Sequence, residues 1–272
     1  MDVKGPVDEV MEQAQKEFEA GNCRGAVALL LPLLRAKDKL SPRQEYHVVN
    51  CLSQCYRFLR DKAALPHAQR LVVLTQELFG PRSLGHALAL QELCMVHGGL
   101  KAVPAARKAI VEALAIMDEL GLQQHEEYGA MLVSLGDVDQ KQGQYREALV
   151  IYNKAKAVLV QYKEGNDYCA LLNSMAICHQ ELHEWNEAVA LTKEVVEHDR
   201  NLYGNNHPEY AAALYNLAML FYKLKQYEEA IQRLEEVLPI FQRVYGNKHQ
   251  RTVGLPRTLH PPASWLNNAI AT

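Results

Sequence analysis

Residues 208–246 read PEYAAALYNLAMLFYKLKQYEEAIQRLEEVLPIFQRVYG, and this stretch decides the fold. In its first half, four apolar or small residues recur at i, i+3, i+4 and i+7, the spacing of one stripe on an amphipathic helix: Leu214, Leu217, Ala218 and Phe221. Tyr227 and Ala230 begin a second helix, and Leu234 follows Ala230 by one turn. Because Ala218 and Ala230 are small enough to let two helices approach closely, the stretch predicts a pair of packed antiparallel helices.

The same unit recurs upstream at a nearly constant period. The small residue of the second helix returns at intervals of 42, 38, 42, 40 and 42: Ala26, Ala68, Ala106, Ala148, Ala188 and Ala230. Glycines that follow an apolar stretch return at intervals of 41, 44, 39 and 42: Gly80, Gly121, Gly165, Gly204 and Gly246. A glycine just past a helix can adopt the left-handed cap conformation, which we expect at these five positions. Two independent series therefore predict a tandem repeat.

The repeated unit resembles the tetratricopeptide family, whose repeats are helix–turn–helix units with small and large residues at fixed positions. LYGNNHP at 202–208, followed by LYNLA at 214–218, is similar to the longer repeats of kinesin light chains. The resemblance covers residues 7–253 and implies an interaction module. Since each helix pair leaves apolar surface for its neighbour, we predict an all-α fold. The expected architecture is an α-solenoid of six antiparallel helix pairs in a right-handed superhelix, with the first helices of the pairs lining the inside.

This frame divides the chain into an N-terminal tail at 1–6, a repeat solenoid at 7–253 and an irregular C-terminal tail at 254–272. The six repeats are expected near 7–40, 43–80, 82–121, 125–165, 167–204 and 208–246.

The C-terminal tail does not resemble the polar capping helix that normally ends a repeat array. Four residues in it break helices: Gly254, Pro256, Pro261 and Pro262. Three apolar residues of the last helix are expected to form the end surface: Leu234, Leu238 and Phe241. Either Trp265 and Leu266 fold back over this surface, or another chain covers it as a homodimer or partner contact, or the tail is disordered.

Charge and hydropathy exclude several classes of partner. The 29 Lys and Arg residues against 32 Asp and Glu give a formal charge of −3, too balanced for nucleic-acid or membrane-surface binding through bulk charge. The longest apolar run, 26–34, contains Pro32 and is far shorter than the roughly 20 residues of a membrane span. No apolar signal sequence follows Met1. The expectation is a cytoplasmic protein that binds neither nucleic acid nor membrane.

Candidate catalytic and metal-binding residues form no recognised pattern. His179 and His183 lie four apart, but the sequence HQELH puts the acid in the wrong place for a metalloprotease helix. Cys51 and Cys55 share a helical face, and Cys94 takes a small packing position, where a buried thiol is expected. No nucleotide-binding signature is present. The sequence predicts a non-catalytic protein with no metal and no cofactor.

A binding groove is expected on the first helices of the last three repeats. The stripe beside the packing stripe, at i, i+4 and i+7, combines tyrosine, methionine, amides and one acid: Val133, Asp137, Gln140, Asn173, Ile177, Gln180, Tyr215, Asn216, Met219 and Tyr222. Apolar pockets and amides suit a peptide or helix of a partner protein. The resemblance to kinesin light chains implies peptide-backbone contacts for Asn173 and Asn216. Alternatively, these residues are ordinary surface of a scaffold that works elsewhere.

The predicted function is therefore a protein–protein interaction scaffold or adaptor that binds a partner peptide or helix in the concave groove. The alternative is a regulatory subunit of an enzyme or larger assembly, in contact through its convex face or an end. The groove lacks the Lys, Asn and Arg set that grips a terminal carboxylate, so a co-chaperone clamp is not expected.

Overall fold

The computed structural model describes residues 5–36, 40–247 and 252, and all regular structure in these ranges is helical. In the described part of the chain, twelve α-helices form six consecutive pairs, which confirms the predicted all-α repeat fold. The helices are α1 Pro6–Glu19, α2 Cys23–Arg35, α3 Pro42–Phe58, α4 Ala64–Phe79, α5 Leu84–Gly99, α6 Val103–Glu119, α7 Glu126–Lys141, α8 Tyr145–Leu159, α9 Asn166–Glu181, α10 Trp185–Tyr203, α11 Pro208–Lys223 and α12 Tyr227–Tyr245.

The chain separates into two compact units, Met1–Val158 and Leu159–Thr272. The N-terminal unit contains α1 to α8, and the C-terminal unit contains α9 to α12. Odd-numbered helices are the first helices of their pairs, and even-numbered helices are the second helices. In the N-terminal unit α1 contacts α3, α3 contacts α5 and α5 contacts α7, so the first helices lie side by side.

Every first helix ends at a residue with left-handed backbone conformation. These residues have φ between 55° and 77°: Gly21, Arg60, Lys101, Gly143, His183 and Lys225. In each case the next N–H donates to a carbonyl five residues back, over 2.8 to 3.0 Å, the six-to-one bond of a Schellman cap. This series recurs at intervals of 39, 41, 42, 40 and 42. Four of its six members are not glycine, which is why a search for glycines misses it.

Four of the five predicted glycines have positive φ, and at Gly80, Gly204 and Gly246 it is combined with an extended ψ of 160° to 168°. Gly80, Gly121, Gly204 and Gly246 have φ between 71° and 87°. The prediction was wrong for Gly165, which has φ −84° and ψ 158° and is the N-cap of α9. The reason is local, because α8 continues into a single 3-10 turn at Val160–Tyr162 and the glycine is left to begin the next helix.

The small residues of the second helices are buried, as the repeat frame predicts. Their exposed fractions are 0 to 3%: Ala26, Ala68, Ala106, Ala148, Ala188 and Ala230. Ala188 and Ala230 belong to one cluster with Leu217, Leu220 and Phe221, so α10, α11 and α12 share these contacts.

Replacing Ala188 or Ala230 with leucine is expected to destabilise the protein by about 1–3 kcal/mol, because the added side chain has no room in a close-packed core. Ala190→Leu is the matched control, since Ala190 is exposed on the same helix as Ala188. Thermal unfolding followed by circular dichroism measures the effect. Equal melting temperatures for Ala188→Leu and Ala190→Leu would contradict the repeat frame.

The end of the chain is described only as far as Thr252. Leu234 and Phe241 are 1% and 3% exposed and pack with Tyr210 and Leu214 in the core of the last pair. Thr252 Oγ1 donates to the carbonyl oxygen of Phe241 over 3.4 Å. The predictions for the tail at 254–272, including Trp265 and Leu266, lie outside the described residues. Among the described helices, none combines the length and hydropathy that a membrane span requires.

Candidate functional site

The ten residues predicted to line a groove are divided between the two units. The stripe on α7 lies in the N-terminal unit, and the stripes on α9 and α11 lie in the C-terminal unit. One groove containing all ten therefore stays a prediction.

The predicted groove residues on α7 and α9 differ in exposure and in the contacts that they make with other side chains. Asp137 accepts a hydrogen bond from the Tyr152 hydroxyl over 2.7 Å, within its own helix pair. Ile177 is 46% exposed, and Asn173 has its amide nitrogen 3.9 Å from Cys169 Sγ. The other three residues are half-buried: Val133, Gln140 and Gln180.

On α11 the two tyrosines also contribute to packing. The rings of Tyr215 and Phe241 lie 6.4 Å apart, and those of Tyr222 and Tyr227 lie 5.5 Å apart. Met219 is half-buried and Asn216 is exposed. These tyrosines therefore stabilise the last helix pair, whatever else they contact.

The left-handed residue at each first-helix end provides a register for all six repeats. The predicted stripe lies 10, 6 and 3 residues before it, as Val133, Asp137 and Gln140 do before Gly143. The same register in the first three repeats gives residues that the sequence analysis missed: Met11, Gln15, Phe18, Asn50, Gln54, Arg57, Gln91, Met95 and Gly98. Eight of these nine residues line two neighbouring cavities of the N-terminal unit, and Gly98 lines a third.

The first cavity, of about 470 Å³, lies between α1 and α3. Its lining residues are Asp8, Met11, Glu12, Gln15, Phe18, Leu30, His47, Asn50, Cys51 and Gln54. The second cavity, of about 320 Å³, lies between α3 and α5 and shares Asn50 and Gln54 with the first. Tyr46, Arg57, Leu71, Gly85, Leu88, Ala89, Gln91, Glu92 and Met95 complete it. The two shared amides therefore stand on the ridge between two adjoining depressions.

Four amide side chains contribute to the polar lining of these two cavities: Gln15, Asn50, Gln54 and Gln91. Gln54 Nε2 donates to Asn50 Oδ1 over 3.1 Å, and Gln91 Nε2 donates to Ser134 Oγ over 3.4 Å. An amide offers both donors and an acceptor, and these are the groups that pair with the N–H and C=O of an extended peptide. Met11, Phe18 and Met95 supply the apolar part of the walls.

A buried ion pair forms the floor of the second cavity. Glu92 is 4% exposed, and its carboxylate accepts from Arg57 Nε over 3.0 Å and from Ser53 Oγ over 2.9 Å. Burial raises the pKa of Glu92, and the attraction of Arg57 opposes this rise. Because Arg57 compensates the charge of Glu92, the ion pair stabilises the floor of the second cavity.

A third cavity, of about 330 Å³, continues from Arg57 toward the ends of α3, α5 and α7. Three of its lining residues are cationic: Arg57, Arg60 and Lys141. Its other lining residues are Asp61, Ala64, Val96, Gly98, Gly99 and Leu100. The first cavity carries the acids Asp8 and Glu12. The series of cavities therefore runs from an acidic end at α1 to a basic end near α7.

The histidines and cysteines considered in the sequence analysis have local roles. His179 Nδ1 lies 2.7 Å from Glu184 Oε2, and His183 takes the left-handed position after α9. Cys94 is 3% exposed, and burial raises the pKa of its thiol to about 12, as expected for a packing residue. The sulfur atoms of Cys51 and Cys55 are 3.9 Å apart, and the hydrogen bond between them, together with burial, raises the pKa of the Cys55 thiol.

Comparison with known families gives two matches. Residues 167–252 match the family described as Tetratricopeptide repeat, and residues 122–201 match Anaphase-promoting complex subunit 5. No curated protein sequence matches the chain.

Solved structures share the fold at low sequence identity. A Podosopora anserina protein described as a kinesin light chain with nearly identical TPR-like repeats has a TM-score of 0.60 and 20% identity, covering 75% of this chain and 97% of its own. BtubC (BKLC) from P. vanneervenii has a TM-score of 0.64 and 13% identity, covering 91% and 94%. NprR in complex with its cognate peptide NprX has a TM-score of 0.63 and 14% identity, covering 99% and 79%. Residues 167–252 therefore match tetratricopeptide repeats, and the chain has the fold of kinesin-light-chain-like repeat structures.

Proposed function

We propose that this protein is a non-catalytic interaction scaffold that binds an extended peptide of a partner protein along the first helices of its N-terminal unit. The observation that carries the proposal is the pair of adjoining cavities that share Asn50 and Gln54. NprR, which has the same fold, was solved with a peptide, and this supports peptide binding by such a scaffold.

The linings of the cavities define the chemistry of the peptide. Asn50, Gln54 and Gln91 pair with its backbone, while the apolar walls accept two or more apolar side chains. The basic cavity at Arg60 and Lys141 favours an acidic residue at one end of the peptide. The acidic end of the groove favours a basic residue at the other, so charge sets the direction in which the peptide lies.

The predicted stripes of the later repeats belong to the same proposal as a second contact surface. Exposed Ile177 and Asn216 and half-buried Asn173 and Met219 present an apolar and amide mixture like that of the N-terminal cavities. A partner long enough to contact both units gains affinity from the second surface through effective concentration.

Peptides selected from a display library on the purified chain provide a probe for this function. The double variant Asn50→Ala/Gln91→Ala is expected to weaken the Kd of such peptides roughly 10- to 30-fold, since two hydrogen bonds of about 1 kcal/mol each are lost. Isothermal titration calorimetry measures the Kd, and circular dichroism checks that the helices remain. Selected peptides whose Kd is unchanged by this double variant would contradict binding at the N-terminal cavities.

A second candidate function is that of a subunit in a larger assembly, because residues 122–201 match the family Anaphase-promoting complex subunit 5. Two valines lie at equivalent positions of α4 and α6, five residues after the buried alanine of each helix. Val73 is 44% exposed and Val111 is 49% exposed. The double variant Val73→Lys/Val111→Lys tests whether this face of the second helices contacts the partner. Loss of partner binding in this variant, with the Asn50→Ala/Gln91→Ala variant unaffected, would favour the subunit function.

A further inference from the structure

Three side chains of different metal-binding chemistry meet at one end of the α9–α10 pair. Cys169 is in the first turn of α9, and His198 and Asp199 are in the last turns of α10. One potential ligand atom from each residue lies within 4.8 Å of the other two. The sequence carries no short motif for this cluster, because 29 residues separate Cys169 from His198 and only helix packing brings them together.

The distances within the cluster match the edges of a zinc coordination tetrahedron. Cys169 Sγ lies 3.4 Å from Asp199 Oδ1, and His198 Nδ1 lies 3.3 Å from the same oxygen. Bond lengths of about 2.3 Å to sulfur and 2.0 Å to nitrogen or oxygen imply tetrahedral edges of roughly 3.5 Å for S···O and 3.3 Å for N···O. Two of the three edges therefore fit a tetrahedral site, and the third, between Cys169 Sγ and His198, is within 4.8 Å.

The cluster is also buried in a way that favours a cation. Cys169 and Asp199 are 9% and 7% exposed, and the side chain of His198 is 11% exposed. Arg200, the next residue along α10, pairs with Glu197. A cation held by these three side chains would therefore be shielded from solvent.

We propose that Cys169, His198 and Asp199 form a zinc-binding site that joins α9 to α10. On binding, the S–Zn bond forms as the Cys169 thiol gives up its proton to solvent, while neutral His198 and ionised Asp199 donate lone pairs. The thiolate and imidazole select Zn²⁺ over Mg²⁺ and Ca²⁺, which prefer oxygen ligands.

The position of the site explains what the ion does. His198 also lines a cavity of about 700 Å³ with Tyr168, Glu194 and Leu202. This opening gives the ion access and leaves room for water as the fourth ligand. Because two of the ligands are on one helix and the third is on its partner, zinc clamps the pair. The role proposed for the ion is to hold α9 and α10 together.

The test uses the untagged full chain, stripped with a chelator and transferred to metal-free buffer. Zn²⁺ is titrated by calorimetry, and Co²⁺ is titrated to record the thiolate-to-cobalt absorption band. We expect about one equivalent of either ion, and a higher melting temperature with Zn²⁺. Cys169→Ala and Asp199→Asn should each abolish the cobalt band or weaken the Kd at least tenfold. Cys51→Ser, which alters a thiol of the other unit, is the control and should leave the equivalents unchanged.

X-ray absorption of the zinc-loaded wild-type protein provides a measurement that needs no variant. One sulfur at about 2.3 Å with nitrogen and oxygen ligands at about 2.0 Å is the expected coordination shell. A shell without sulfur, or a cobalt band that persists in Cys169→Ala and disappears in Cys51→Ser, would overturn the proposal. Peptide binding at the N-terminal cavities does not depend on this site, so the two proposals fail separately.

Discussion

Replacing Gly136 with alanine is expected to lower the free energy of unfolding by about 3 kcal/mol, the upper part of the range for overpacked cores. A β-carbon at this position would lie 2.3 Å, 2.6 Å and 2.9 Å from three ring atoms of Tyr152. The Tyr152 side chain is fully buried, and its hydroxyl is bonded to Asp137 over 2.7 Å. Because the ring is buried and its hydroxyl is hydrogen-bonded, moving the ring away from the added β-carbon would be costly. Urea denaturation followed by circular dichroism measures the loss.

Gly99→Ala is the matched control, because no heavy atom lies within 4 Å of the added β-carbon at this helical position. We expect it to leave stability unchanged or to raise it by up to about 1 kcal/mol, as alanine favours helix over glycine. Tyr152→Leu removes the clashing ring, so the double variant Gly136→Ala/Tyr152→Leu should lose at least about 1 kcal/mol less than the sum of the two single losses. Strictly additive losses would show that Tyr152 does not cause the effect.

Gly136 also illustrates how much of the fold could be predicted. In the repeat frame, Gly136 occupies the position that Ala176 and Ala218 occupy in the next two repeats, and all three residues are buried. Periodicity identifies such positions because one helix packs on the next in the same way in every repeat. The small residue at the contact therefore returns at a nearly constant interval. Periodicity does not identify Tyr152 as the contact, since that depends on the rotation of α8 against α7.

From the sequence, the groove was predicted on the later repeats alone, for a reason that lies in the first three repeats. Their leucine and alanine pattern is weak, so the groove was predicted on the later repeats. Asn50, Gln54 and Gln91 occupy the corresponding positions in the early repeats. The register that reveals them depends on left-handed residues such as Arg60 and Lys101. Arginine and lysine adopt this conformation less readily than glycine, so residue type does not mark these positions in the sequence.

Replacing Arg57 with leucine is expected to destabilise the N-terminal unit by about 3 kcal/mol at pH 7, since the buried charge of Glu92 then lacks its partner. The Arg57 side chain is 23% exposed and that of Glu92 is 6% exposed, so water compensates the carboxylate poorly. Arg200→Leu is the control, because its pair with Glu197 is about half exposed on both sides. Its loss should cost less than 1 kcal/mol. Equal losses in the two variants would show that the Arg57–Glu92 pair is not effectively buried.

The pH dependence of the Arg57→Leu variant distinguishes loss of the ion pair from loss of packing. Burial already holds the pKa of Glu92 above its usual range, and removal of Arg57 raises it further. A carboxyl with a raised pKa binds its proton more tightly when folded, so its unfavourable contribution is largest above the folded pKa and fades as the pH falls through it. The stability deficit of Arg57→Leu should therefore be smaller at pH 5 than at pH 7. Adding Glu92→Gln should recover part of the loss and remove this pH dependence, whereas a deficit that is equal at both pH values would assign the effect to packing alone.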